Sequence, residues 1–140
     1  MKKPILKNHL CFKLYALSRQ VTSLYRPFLE ELDMTYPQYL VMLILWEQSR
    51  LQVKDLGAQL YLDTGTLTPL LKRLERKSML SRRRDTADER SVIIELTELG
   101  KSMQYKAECI PQRLNQAIQL DDKEYESVKF TLDRLLVKIG

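Results

Sequence analysis

The sequence predicts a mainly α chain with a small β element (α+β): a winged helix-turn-helix held between long N- and C-terminal dimerisation helices. Three observations predict it. Apolar residues recur at spacings of three and four near both ends of the chain, the repeat of one helix face. Between these stretches, two short helical segments are joined by a tight polar turn. Directly afterwards the apolar period changes, giving two short strands around a polar turn. The chain divides accordingly into an N-terminal dimerisation helix (1–34), a winged unit (35–96) and C-terminal dimerisation helices (97–140).

The elements follow in order. Leu10, Leu14, Leu17, Val21, Leu24 and Phe28 form one face of a long first helix, with Asn8 as its expected cap and Asp33 in the turn behind it. Thr35 and Gln38 are spaced as a capping box with Pro37 in the first turn, where a missing N–H is harmless. The helix they open carries Leu40, Val41, Leu43, Ile44, Leu45 and Trp46. It is apolar nearly all round, so it belongs at the centre. Leu51 to Val53 reads as a short extended piece, and Lys54 to Leu60 as a short helix. Leu62 to Gly65 breaks the pattern, with Asp63 as a cap, before a helix from about Thr66 to Lys77. Leu80–Arg84 and Ser91–Leu96 form a hairpin around the polar turn 85–90. Thr97 caps a helix that Pro111 kinks or divides. Asp121 and Glu124 box the last one, lined by Tyr125, Val128, Leu132, Leu135, Leu136 and Ile139.

Composition narrows the class. The 140 residues suit one compact domain or one protomer of a small oligomer. Hydrophobic residues make up 44% and charged residues 29%, with four glycines and five prolines, which suits a folded, helix-rich chain. Two cysteines are too few for a disulfide scaffold. No apolar run is long enough for a bilayer. The first nine residues lack the apolar stretch and cleavage site of a signal peptide, so a cytoplasmic location without membrane attachment is expected. No cofactor or metal is expected, because no Gly-rich phosphate loop or ligand cluster is present. The terminal helices have little of their own chain to cover their apolar faces. This predicts a two-fold homodimer, the alternative being that they fold back on a monomer.

The net charge of +5 is concentrated. Lys72, Arg73, Arg76, Lys77, Arg82, Arg83 and Arg84 lie within thirteen positions, Glu75 being the one acid among them. Most charge runs are solvated faces. This one coincides with a motif whose second helix fits a major groove, so double-stranded DNA is the expected partner. The early residues of that helix, Thr64, Gly65, Thr66, Thr68 and Pro69, are the candidates for base edges. Lys72 and Arg73 suit phosphates or a guanine edge, Arg84 is a further DNA-binding candidate, and Arg90 suits an adjacent minor groove. Asp88 is placed to orient Arg90, or merely to pair with it in the turn.

Cys11 falls in the first turn of the first helix. Unpaired N–H groups and the positive end of the helix stabilise a thiolate there, the form that peroxides attack. The plain alternative is a packed hydrophobic thiol. His9, two residues away, does not face Cys11 on a helix, so a dyad within this segment is not expected. Tyr15, one turn on, lies beside the sulfur. Tyr25 and Tyr36 join it only if the fold or a partner chain brings them close.

Leu10–Tyr15, Thr35–Leu40, Leu60–Glu75 and Asp88–Ser91 resemble the MarR family of transcription regulators. Within it they resemble the thiol-based branch that senses organic hydroperoxides (OhrR-like). The resemblance covers the chain to about residue 100 and is looser beyond. It implies a homodimer on a pseudo-palindromic operator, with repression lost on oxidation by an organic hydroperoxide. It also assigns Cys11 as the sensing cysteine and Arg90 as the wing-tip arginine. Tyr15, and Tyr25 and Tyr36 from the other subunit, are implied neighbours of the sulfur. Some members resolve the oxidised sulfur with a second cysteine of the partner, others with a low-molecular-weight thiol. Cys109 does not fall where the resolving cysteine usually stands, so capping by a small thiol and a Cys11–Cys109 bond between subunits both stay open.

Two other readings use the same residues. One is a regulator of the same fold switched by a small aromatic ligand, with Cys11 structural. The other is a thiol peroxidase, which needs a base or arginine fixed beside the cysteine and is not expected here.

Overall fold

The computed structural model describes residues 3–140; Met1 and Lys2, with which the expected N-terminal segment opens, lie outside the described residues. The long first helix, α1, spans Leu10–Glu30. Asn8 does not cap it. Leu6–Asn8 forms a 3₁₀ turn of its own, closed by the His9 N–H donating to the Leu6 carbonyl at 3.0 Å, and His9 takes the cap position without a side-chain bond. Helix α2 (Tyr36–Gln48) starts at the expected capping box: the Gln38 N–H donates to Thr35 Oγ1 and the Thr35 N–H to Gln38 Oε1. Val41, Met42 and Leu45 are fully buried, but Leu43 stays 40% exposed, so α2 is central without being covered all round.

Strand β1 (Arg50–Gln52) runs straight into α3 (Val53–Leu60). The break after α3 comes earlier than expected. Tyr61 ends the helix in the left-handed region at φ 56°, and α4 spans Thr64–Arg76, so Thr64 and Gly65 are its first two residues, not loop. Glycine is needed instead at Gly57. A β-carbon there would lie 2.7 Å from the Leu62 carbonyl oxygen, so the two helices of the motif close on each other only over hydrogen.

Strands β2 (Leu80–Arg84) and β3 (Val92–Leu96) form the hairpin. β1 adds to it, giving the antiparallel order β1-β3-β2 with Leu51 opposite Ile94 and Arg82 opposite Ile94 on the other side. The wing is thereby sewn to the start of α3. Helix α5 (Glu98–Ala107) is capped by Thr97, which accepts from the Gly100 N–H at 3.0 Å. Pro111 divides the expected single helix: α6 (Ile110–Ile118) begins with it in the first turn. Helix α7 (Asp122–Ile139) opens on the Asp121–Glu124 capping box.

One apolar cluster joins α1, α2, α3, α4, β2, β3 and α6 through Leu29, Met42, Leu45, Leu56, Leu67, Leu71, Leu74, Leu80, Ile94 and Ile110. Helix α7 buries none of its residues against its own chain, and the first nineteen residues of α1 are not buried either. Among the described residues, no helix is long and apolar enough to cross a membrane.

Candidate nucleic-acid interface and thiol site

Helix α4 is placed by its buried stripe. Leu67, Leu71 and Leu74 point inward, which turns Gly65, Pro69, Lys72, Arg73 and Arg76 to the opposite side. Asp63 caps the first turn, accepting from the Thr66 N–H at 2.7 Å; this bond holds its carboxyl below the usual carboxylate range. Thr64, Thr68 and Glu75 lie on the flank toward the wing. The Thr68 hydroxyl donates to the Thr64 carbonyl at 2.8 Å, so toward a ligand it offers lone pairs and a methyl group, not a proton.

The basic run is not one face. Arg82 is committed to α4: its Nη2 donates to Glu75 Oε1 at 3.2 Å and its backbone N–H to Glu75 Oε2 at 3.1 Å. The hydrogen bond from Arg82 keeps the Glu75 carboxyl below its ordinary value. Lys77 turns its ammonium to Asp33 and Gln38, away from the outer face. Lys72, Arg73, Arg76, Arg83 and Arg84 remain exposed. The Arg84 guanidinium also donates to the Glu89 carbonyl at 2.9 Å, which ties down the wing tip.

Asp88 orients Arg90 through the backbone. Its Oδ1 accepts from the Arg90 N–H at 3.1 Å and its Oδ2 from the Ser91 hydroxyl at 3.2 Å, with no ion pair to the guanidinium among the described residues. The exposed Arg90 lines a cleft of about 310 Å³ between wing and motif, with Thr64, Thr68, Arg82 and Lys54. Lys54 escaped the sequence reading because it stands apart from the basic run, 18 positions before Lys72.

Cys11 is exposed, the second residue of α1. It lies at heptad intervals with Ser18 and Tyr25, so all three share one side of the helix. Toward the C-terminal half, that side faces the core. At Cys11 the core has ended and the side is open. Fourteen residues separate Cys11 from Tyr25, a distance of about 21 Å along the helix. The structure therefore does not bring the sulfur to Tyr25 within one protomer. Tyr36 stands with Tyr25, their ring centroids 4.6 Å apart. Tyr15 is exposed beneath the Arg19 guanidinium, 5.6 Å from its ring centroid.

Tyr39 completes the cluster, 5.8 Å from Tyr25 and 6.2 Å from Trp46, whose indole N–H donates to the Gly100 carbonyl at 2.8 Å. The sequence reading missed it, although Tyr36 and Tyr39 stand one helical turn apart. Burial pushes the hydroxyls of Tyr25, Tyr36 and Tyr39 above the ordinary tyrosine value, so all three keep their protons. A nearby Cys109 adds to the effect on Tyr39. Cys109 is exposed at the N-cap of α6, on the edge of this cluster. Among the described residues, no group of three or more His, Cys, Asp or Glu side chains is arranged to hold a metal ion.

Residues 23–107 match the SarA/Rot transcriptional regulator family. The chain is 50% identical over 130 residues to the organic hydroperoxide resistance transcriptional regulator of Bacillus subtilis, covering 91% of this chain and 88% of the relative. Among solved structures it resembles reduced AbfR bound to DNA with a TM-score of 0.80 and 35% identity, covering 96% and 92% of the two chains. The disulfide form of AbfR matches with a TM-score of 0.63 and 36% identity, over 94% and 92%. A mutant MarR from E. coli in complex with operator DNA gives 0.82 at 25% identity, over 91% and 93%. The chain belongs to the MarR family of winged-helix transcriptional regulators, in the branch that holds the organic hydroperoxide resistance and SarA/Rot-type regulators.

Proposed function

We propose that the protein is a homodimeric, redox-switched repressor. It grips a pseudo-palindromic operator while Cys11 is unmodified and releases it when an organic hydroperoxide oxidises that sulfur. The observation that carries this reading is the position of Cys11. The thiol is exposed in the first turn of α1, on a helix side that the core stops covering, beside an apolar stripe left open at Leu10, Leu17 and Leu24. Helix α7 leaves Phe130, Val137 and Ile139 open as well. A second copy covers these faces, and the sulfur then lies in the seam between protomers, where its chemistry alters how the two winged units are held.

Oxidation proceeds by attack of the Cys11 thiolate on the distal peroxide oxygen. The S–O bond forms as the O–O bond breaks, the alkoxide takes up a proton and leaves as an alcohol, and the sulfur becomes a sulfenic acid. Tyr25 and Tyr36 of one protomer, protonated and half-buried, supply donors to the oxidised sulfur of the other. A low-molecular-weight thiol then condenses with the sulfenic acid, forming a mixed disulfide and releasing water. Cys109 offers a second route. It sits on the edge of the tyrosine cluster, so a partner sulfur reaching Tyr25 and Tyr36 comes close to it, and a Cys11–Cys109 disulfide between protomers forms with the same loss of water.

On the DNA side, Gly65, Thr66 and Pro69 meet base edges, with Thr64 and Thr68 beside them. Lys54, Lys72 and Arg73 meet phosphates, and Arg84 and Arg90, held by Asp88, reach the flanking groove. The relatives support this reading: one is named for organic hydroperoxide resistance, and AbfR has DNA-bound and disulfide forms. Intact mass spectrometry after mild cumene hydroperoxide treatment, with and without added cysteine, tests it. A modified Cys11 is expected, either as a cysteine adduct or as a cross-linked dimer through Cys109. An unmodified Cys11 overturns the proposal and favours a regulator switched by a small aromatic ligand.

A further inference from the structure

We infer that Lys77 couples the sulfur-sensing side of the fold to the DNA-reading helix. The inference rests on the redox-switched reading above. Lys77 is the C-cap of α4, its backbone N–H donating to the Arg73 carbonyl at 3.2 Å. Its side chain does not serve the basic face. The ammonium donates to the Asp33 carbonyl and to Gln38 Oε1 at 3.4 Å, and lies 3.5 Å from the Asp33 carboxylate. Gln38 belongs to the first turn of α2, and the two Asp33 acceptors to the turn between α1 and α2. Asp33 holds that turn in the left-handed region at φ 52°. Gln38, only 2% exposed, is the capping-box partner that sets the start of α2 at Tyr36.

The contacts therefore run without a gap from Tyr25 and Tyr36, through the α2 cap, to the end of α4. On the far side of Lys77 the chain turns at once through Ser78, also left-handed at φ 62°, into Met79 and strand β2. One ammonium thus stands where recognition helix and wing diverge, anchored to the turn beside the tyrosines. An exposed ion pair would transmit little. This group is held by a backbone carbonyl and a buried amide as well, at the negative end of α4, where a cation is favoured. When an oxidised sulfur displaces Tyr36, the acceptors move together and carry the end of α4 with them. The coupling is read as a change in the linkage between oxidation and DNA affinity.

The probe is a labelled duplex that the reduced wild-type protein selects from a random-sequence pool. Its Kd is measured for reduced protein and for protein treated with cumene hydroperoxide and cysteine. Lys77→Met is expected to cut the ratio of oxidised to reduced Kd by about fivefold or more. Cys11 should still oxidise to the wild-type extent by mass spectrometry, and reduced-state affinity should stay close to wild type. Lys77→Arg, which keeps the charge and donors, should retain most of the ratio. Asp33→Asn, at a 92% exposed carboxylate in a conformation asparagine tolerates, should lower it part of the way. A wild-type ratio in Lys77→Met overturns the inference; should that variant fail to fold, a wild-type ratio in Asp33→Asn does so. If the oxidised wild-type protein itself keeps its duplex, the redox reading falls, and this inference with it.

Discussion

The salt dependence of DNA binding separates cations that face the duplex from those used inside the fold. Of the exposed cations, Lys54, Lys72, Arg73 and Arg90 are taken as the ones that neutralise phosphate charge, four per protomer and eight per dimer. Eight neutralised phosphates give a slope of log K against log salt of about −7, so affinity falls roughly 10⁴-fold between 50 and 200 mM. Arg90→Ala removes two charges per dimer and should bring the slope to about −5. Arg82→Ala provides the contrast. Its guanidinium is already paired with Glu75, so the slope should stay near −7 while affinity drops through a loosened wing. Fluorescence anisotropy with a duplex selected by the reduced protein reads both quantities. Equal slopes for wild type and Arg90→Ala, or equal changes for Arg82→Ala and Arg90→Ala, would refute the division of the basic run.

Three further outcomes follow from the packing and the titrating groups. Gly100→Ala puts a methyl group onto the Met79 carbonyl and against Leu96, so chemical unfolding should show a loss of about 1–3 kcal/mol. Leu17→Glu, at a site 53% exposed in the protomer, should leave the fold intact and convert the dimer to 16.5 kDa protomers in sedimentation. The lowered Asp63 carboxyl contributes stability above its ordinary value of 3.8, lost as pH falls through the lowered one. Asp63→Ala should therefore be less stable than wild type at neutral pH and approach it well below pH 3.8, by urea unfolding at both pH values.

Helix periodicity and caps were legible in the sequence because they are local. Thr35, Thr97 and Asp121 open helices where their spacing says, and Pro111 divides one. The turns were less legible because the chain does not use glycine for them. Asp33, Ser49, Tyr61, Ser78 and Gln119 take the positive-φ conformations that end helices, while Gly65, which reads as a breaker in the sequence, lies inside α4. Strand β1 pairs with β3 more than forty residues away, which no local pattern reveals.

The candidate sites divide the same way. Cys11, Arg90 and the α4 residues could be named from motif position. The commitments of Lys77 to the α1–α2 turn and of Arg82 to Glu75 are tertiary, and in the sequence both residues look like members of one basic run. Tyr39 sits among the apolar residues of α2, whose pattern in the sequence reads as core alone.

The central claim is that one sulfur governs the grip on DNA. The most direct measurement compares wild type with Cys11→Ser on the same selected duplex, before and after cumene hydroperoxide with added cysteine. The account predicts that both bind when reduced, that the wild type lets go on oxidation, and that Cys11→Ser holds. A Cys11→Ser dimer that releases the duplex as readily as the wild type would contradict it.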